Sequence, residues 1–396
     1  MRGRPLLVAI LALALVVRLG VAVLHDPPAA TGDAADFARH AAALADHGSY
    51  PQSAAAGEGP TAFRPPAYPL ALAAVYEVAG REDAPRVFGA LLGTVAVALL
   101  GLVALDLFGR ATAVAAMAIG AVFPPLVMVS VAPLSEGLFI VLVLGALACA
   151  LAARRHPDRV AWVAAAGALG GLAALTRTNG LVLLLPLLLA VPRRRAVLVA
   201  AALVVLVPWS VRSSTALDAF VPTTTQAGFT LAGSYNDEAR TDERLPAAWR
   251  PPVMPPYAAL LEEEGPNEAE LEANFRGEVL DYAGDHPLYP LRVVFWATVR
   301  MLNLADPQIE RDSAREAGVG RGFVTVNRYA TWALLALAVA GALTAAARAA
   351  PRWLWLFPVM LWLGVAIAIG ATRYRTPVDP FLILLAALAV VRWRPA

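Results

Sequence analysis

The chain has 396 residues, of which 59% are hydrophobic and 16% charged, and its formal net charge is only +2. Soluble domains average about 25% charged residues, and repeated apolar runs of roughly 20 residues between arginine clusters are read as membrane spans. A soluble enzyme, a DNA-binding module and a disordered scaffold are excluded.

The first apolar run, Leu6 to Leu24, follows Arg2 and Arg4. It is longer than the core of a signal peptide and carries Arg18, so it reads as a retained helix. Residues 25–85 then form a first external loop. Within it, Asp33 to Gly48 (DAADFARHAAALADHG) predicts a short helix stopped by glycine. On a helical wheel Asp33, Asp36, His40 and His47 share one face, flanked by Phe37 and Leu44. Tyr68 to Gly80 predicts a second apolar helix, too short to cross and half sunk in the interface.

Spans follow near 86–107, 111–130, 133–153, 160–175, 179–191 and 195–211. The one cysteine, Cys149, lies inside such a run, so no intramolecular disulfide can form. Glycine pairs such as Gly170/Gly171 read as close helix packing. Residues 212–324 form a second polar segment. There Asn267 and Glu270 predict a capping pair, and 288–304, interrupted by Arg292 and Arg300, reads as an amphipathic surface helix rather than a span. The last spans lie near 325–348, 352–370 and 376–391.

Three regions result: an N-terminal membrane module at 1–211 with its first loop, the external segment 212–324, and C-terminal spans at 325–396. The expected class is an all-α polytopic membrane bundle of about ten transmembrane helices, with interfacial helices in the first loop. All basic residues are arginine, with no lysine. Arg2/Arg4, Arg110, Arg154/Arg155/Arg159, Arg193–Arg195, Arg348/Arg352 and Arg392/Arg394 fall on alternate turns. The positive-inside bias then puts both termini in the cytoplasm and the two polar segments outside.

No Walker loop, dinucleotide fingerprint or Cys/His zinc spacing is present. The chemistry therefore rests on acids and arginines at the outer surface. Asp33 opens a helix, where the dipole favours an ionised carboxylate; it reads as a helix cap or as a base for an attacking hydroxyl. Arg64 precedes Pro65-Pro66, whose stiff backbone would hold its guanidinium at headgroup depth for a phosphate; headgroup snorkelling is the other reading. Glu136, just after Pro133, reads as functional or as a helix cap. Arg373 and Arg375 in TRYRTPVDP sit outside, against the charge bias, and suit a phosphate or substrate. Asp36, Phe37, Tyr68, Arg177 and Arg212 complete the candidate pocket. Asp36 and His40, four apart on a helix, are weak candidates for one metal ion.

Eight stretches in order carry a resemblance: GDAADFARHAAALADHGSY, FRPPAYPLALAAVYEVAG, APRVFGALLG, PLSEGLF, GLAALTRTNGL, VPWSVRSS, AGFTLAGSYN and RYRTPVDP. The chain resembles the GT-C glycosyltransferases that use lipid-linked sugars, especially the bacterial family 39-like members that include the aminoarabinose transferases. The resemblance implies a GT-C-type helical core, a polyprenyl-phosphate sugar donor, and inverting transfer to a glycan, lipid or protein acceptor at the outer face of the bacterial cytoplasmic membrane. Nucleic acid has no part in it. The family's first-loop acid falls on Asp33, with Phe37 at its usual tyrosine position. Its second external acid falls on Glu136, and its carrier-phosphate contact on Arg64. Phe63 stands where aminoarabinose transferases have a metal-binding glutamate, which puts a divalent metal in doubt. Asp33 is followed by Ala34, not by the glutamate of the protein O-mannosyltransferases.

The competing class is a transporter or flippase for a lipid-linked sugar. Such proteins often show paired repeats and polar midplane helices, whereas these spans are mostly clean.

Overall fold

A computed structural model describes residues 4–24, 32–54, 59–191, 193–262, 265–316 and 319–392. Arg2, Arg394 and parts of the first loop, 25–31 and 55–58, lie outside the described residues. Among the described residues every regular element is helical, with one isolated bridge between Gln52 and Pro60.

All ten apolar runs are helical. Pro5–Leu24, Ala84–Phe108, Glu136–Arg155, Arg195–Leu217 and Gly322–Ala342 are each long and apolar enough to cross a membrane. Arg110–Val122 and Pro124–Val131 form a sixth, bent by 57°. The other four are shorter: Val160–Ala174, Thr178–Ala190 (whose first turns are 3₁₀), Arg352–Ala366 and Asp379–Arg392. At 1.5 Å per residue a 15-residue helix spans about 23 Å, short of a hydrocarbon core of about 30 Å. Non-helical chain continues two of these helices, at Leu175–Arg177 and Ile367–Ala371, beside the cavities described below. Irregular backbone at membrane depth is tolerated where it is buried or lines a cavity.

The bend has a covalent cause. Pro124 and Pro125 have no N–H to give the carbonyls of Gly120 and Ala121. Arg18 takes their place from the first helix: Nη2 donates to Gly120 O at 3.1 Å and Nη1 to Ala121 O at 2.8 Å. Its Nε reaches Ser130 Oγ at 3.2 Å. Gly93 makes the room, since a Cβ there would lie 2.4 Å from Arg18 Nε. Small residues also set the other helix contacts. A Cβ on Gly167 would lie 2.1 Å from Leu198 O, and one on Gly171 2.9 Å from Ala202 O.

Arginine-rich turns meet at one end of the bundle. Arg154 donates to Ala190 O and covers the Trp353 ring, Arg194 donates to Asp158 O, and Arg155 pairs with Asp106. At the opposite end, Gly32–His47 packs on Ala67–Ala79 through Phe37, Tyr68 and Leu72. The segment between Arg195–Leu217 and Arg321–Ala342 folds over this end around Tyr235, Tyr257, Phe275 and Tyr289. Asn267 and Glu270 form the expected capping box on Glu268–Asp285. Within 288–304 the structure forms a 13-residue helix, Tyr289–Met301. Leu288, Leu291 and Phe295 there are exposed, while Arg300 is buried.

Candidate functional site

Asp33 stands in the first turn of Gly32–His47, and Arg64 leaves the loop that precedes Ala67–Ala79. Arg64 binds two acids of Gly32–His47, with Nη2 donating to Asp33 Oδ1 at 2.7 Å and Nε to Asp36 Oδ2 at 2.6 Å. The rings of Phe37 and Phe63 lie 5.0 and 5.2 Å from the guanidinium carbon. The second oxygen of Asp33 accepts from Arg373, which also donates to the Tyr374 hydroxyl at 2.6 Å. The Tyr374 ring in turn lies under Arg177, whose Nη1 is 2.9 Å from Glu136 Oε1. Residues separated by 340 positions thus close one network.

Electrostatics fix its charge state. Burial alone would push the Asp33 carboxyl up, but Arg64, Arg373 and Arg177 outweigh it and hold it far below the usual carboxylate range. For Asp36 burial also acts upward, and His40 and Arg64 reverse it. Burial opposes the charge of Arg64, yet its two carboxylates raise it further above the ordinary arginine value. The Tyr374 hydroxyl is pushed up to about 12 by burial, against the pull of Arg373 and Arg177. The free site therefore holds Asp33 and Asp36 ionised, Arg64 charged and the Tyr374 phenol neutral.

Two cavities meet here. One, of about 820 Å³, reaches outward past Phe63, Phe229 and Trp249; the other, of about 330 Å³, runs past Arg177 and Asn179 to Val182 and Val365. Asp33, Arg64, Gln226, Thr230, Ile369 and Tyr374 line both. Asp33 thus lies where the two spaces join.

The loop that aims Arg64 is clamped by a residue the sequence did not single out. Glu268 is buried and accepts from Ser53 Oγ at 2.6 Å, Thr61 Oγ1 at 2.8 Å and the Ala62 amide at 2.8 Å, with Thr225 Oγ1 as a fourth donor. Tyr374, Gln226 and Thr230 were also unread, although Tyr374 lies between the two arginines that had drawn notice.

Five of the candidate residues line neither cavity. Arg375 is fully buried away from both cavities and binds Asp379, Met301 O, Asn303 and Thr331. It follows Arg373 by two on a 3₁₀ turn, and three residues per turn send the two side chains apart. Arg212 is held between Tyr50 and Trp209, donating to Thr61 O at 2.6 Å. Tyr68 is buried edge-on against Phe37. Glu136 lines neither cavity and stands behind Arg177 as its counter-ion. His40 is buried, its Nδ1 2.8 Å from Asp36 O.

Asp36 and His40 do not fit a divalent cation. The Asp36 carboxylate already carries Arg64 and Arg39, and a third cation would meet their charge. Among the described residues no three His, Cys, Asp or Glu side chains converge as metal ligands.

Against solved structures, the chain is similar over 98% of its length to 50% of the apo oligosaccharyltransferase of Archaeoglobus fulgidus, at 15% identity and a TM-score of 0.58. A second structure, AglB of that organism in complex with an inhibitory peptide and a dolichol-phosphate, aligns at 13% identity and a TM-score of 0.55, over 98% of this chain and 50% of that one. The chain has the GT-C fold. It spans about half the length of those GT-C proteins. Residues 63–215 match the family model described as dolichyl-phosphate-mannose-protein mannosyltransferase, a stretch that holds Arg64, Glu136 and Arg177. ArnT from Cupriavidus metallidurans bound to undecaprenyl phosphate is similar at 18% identity and a TM-score of 0.45, over 97% of this chain and 77% of that one. No curated protein matches the chain. With this fold and its apolar helices, it is a multi-pass membrane protein.

Proposed function

We propose that the chain is an integral membrane glycosyltransferase. It moves a hexosyl or pentosyl unit from a polyprenyl-phosphate carrier to an acceptor hydroxyl, with inversion at the anomeric carbon. The observation that carries this reading is an ionised Asp33 held by Arg64 and Arg373 where two cavities join. The GT-C fold, the dolichol-phosphate named with one of its structural neighbours, and the mannosyltransferase model over 63–215 support it.

The smaller cavity suits the carrier. Val182, Leu231 and Val365 give it an apolar wall, and Arg177 and Arg64 stand at its polar end. An arginine fork matches phosphate oxygens bidentately. The larger cavity is left for the acceptor.

In the free site Asp33 is a poor base, because proton transfer is most efficient when the base has a pKa near the working pH. An arriving phosphodiester competes with Asp33 for the same two guanidinium groups. As the arginines turn to the phosphate, the carboxylate loses its cations and gains an anion beside it, and both changes raise its proton affinity. The acceptor hydroxyl then attacks the anomeric carbon from the face opposite the phosphate. The bond from that carbon to the phosphate oxygen breaks with its electron pair, and the hydroxyl proton passes to Asp33. The leaving polyprenyl phosphate gains negative charge, which Arg64, Arg373 and Arg177 neutralise in a site poor in water. No step routes through a metal.

Location follows from charge. The arginine-rich turns at the far end favour the cytoplasmic side, which puts both termini in the cytoplasm and Asp33 outside; the resemblance to the aminoarabinose transferases supports a bacterial cytoplasmic membrane. The transporter reading is not favoured, because the exchangeable charges gather at one end while the arginine within the bundle, Arg18, is spent on protein oxygens.

The test is to incubate purified protein in lipid with a panel of polyprenyl-phosphate sugars and follow release of polyprenyl phosphate. Release that is lost in Asp33→Asn and Arg64→Ala is expected. Unchanged release in Asp33→Asn overturns the assignment of the base.

A further inference from the structure

The larger cavity has an aromatic wall that the donor chemistry leaves unused. Phe63, Phe229 and Trp249 line it in a chain of ring contacts, with centroids 5.5 and 6.2 Å apart. The indole of Trp249 lies against Gly233, where a Cβ would be 2.1 Å from Nε1, and that Nε1 donates to Thr230 O at 3.0 Å. The wall is therefore held in place from behind.

Five arginines and four carboxylates line this cavity, and each is bonded within the protein. Asp312 pairs with Arg315 at 3.1 Å and Asp36 with Arg39 at 2.9 Å. Arg300 donates to the carbonyls of Gly370, Pro246 and Ala247. Glu268 is filled by its four donors. The lining charges nearly cancel, and every one already holds hydrogen-bond partners within the protein. Four of the wall's main-chain carbonyls are taken as well: those of Thr61, Phe63, Thr230 and Gly370 accept from Arg212, Thr224, Trp249 and Arg300. A peptide bound by strand-like main-chain pairing needs such groups free.

Apolar ring surface with a few side-chain hydrogen-bonding groups and nearly cancelling charge suits a neutral polyhydroxyl ligand. We propose that this cavity takes a neutral carbohydrate acceptor, seated on Phe229 and Trp249 with its reactive hydroxyl toward Asp33. The proposal rests on the glycosyltransferase reading and narrows it to glycan acceptors. Sugar rings carry C–H faces that pack on aromatic rings and hydroxyl edges that bond to side chains such as Gln226 and Thr230. A volume of about 820 Å³ falls in the range of small-ligand sites.

Two readouts on the full chain in lipid nanodiscs test this separately from the donor chemistry. Saturation-transfer NMR reports binding of maltose, cellobiose and mannobiose, of a glucuronate-containing disaccharide, and of a serine- and threonine-rich peptide. The neutral disaccharides are expected to give ring-proton transfer that falls at least fivefold in Phe229→Leu and in Trp249→Ala and returns in Phe229→Tyr. The unfolding temperature of each variant separates lost contact from lost fold. In parallel, the neutral sugars are expected to raise polyprenyl-phosphate release at least tenfold over transfer to water. Binding by the peptide or the acidic sugar in place of the neutral ones overturns the proposal, as does a Phe229→Leu signal equal to wild type. Sugar binding without any carrier release supports the ligand class and removes the transferase reading. Release without sugar binding does the reverse.

Discussion

The membrane bundle and the end that carries the cavities both bury arginine, but they partner it differently. In the bundle, the Arg18 guanidinium is filled by three backbone carbonyls and a serine, two of those carbonyls orphaned by Pro124 and Pro125. Arg300, at the wall of the larger cavity, is likewise filled by carbonyls, and Arg375 by Asp379 and three neutral oxygens without touching a cavity. At the site, Arg64, Arg373 and Arg177 face carboxylates and border open space. A carbonyl cannot leave its strand of backbone, so the first kind of arginine is structural. A carboxylate on a side chain can yield to a phosphate, so the second kind is exchangeable.

Replacing members of each class sharpens or breaks that division. The largest effect is expected at Arg375→Ala, which strands the buried Asp379. Removing one partner of a buried ion pair costs about 3–5 kcal/mol, so little folded protein should survive detergent extraction and heating. A folded but inactive Arg375→Ala would move this residue into the exchangeable class. Arg373→Ala should instead fold and lose roughly 10²–10³ in kcat, the scale for one oriented donor on developing charge. An unfolding temperature close to wild type would confirm the contrast.

Arg18→Met should cost about 1–3 kcal/mol for each carbonyl left unsatisfied, read as a lower unfolding temperature, with kcat kept wherever the protein is folded. Acid pH gives a subtler signature. In the free protein the arginines hold Asp33 below the usual range, so it stays ionised above about pH 4 and gives kcat/KM no acid limb there. With the donor bound its carboxyl rises, and kcat should acquire an acid limb at higher pH. Coincident limbs would argue against the exchange. The smallest effect belongs to Arg276→Ala, which removes an exposed pair with Glu272. It should cost roughly 0.3–0.5 kcal/mol, with turnover unchanged.

The spans were legible because a bilayer demands long apolar runs, and each of the ten runs is helical. Their continuity was less so. The run at 111–130 reads as one helix, yet Pro124-Pro125 break it, and the hydropathy pattern does not show the break because the run stays apolar through it. Asn267 and Glu270 were legible because a capping box is local. Asp33, Arg64 and Arg373 stood out as charges at the outer ends of apolar helices. Arg375 was misread for want of one fact, that residues 372–375 form a 3₁₀ turn. Glu268 was invisible because its partners Ser53, Thr61 and Ala62 lie more than 200 positions away, and only the folded chain brings them together.

Affinity for polyprenyl phosphate in Asp33→Asn tests the central claim most directly. If the carboxylate and the phosphate compete for Arg64 and Arg373, removing the charge of Asp33 abolishes transfer and tightens binding of the phosphate by about fivefold or more, equivalent to about 1 kcal/mol. Unchanged or weaker binding in Asp33→Asn would mean that the arginines are not exchanged, and would contradict the account.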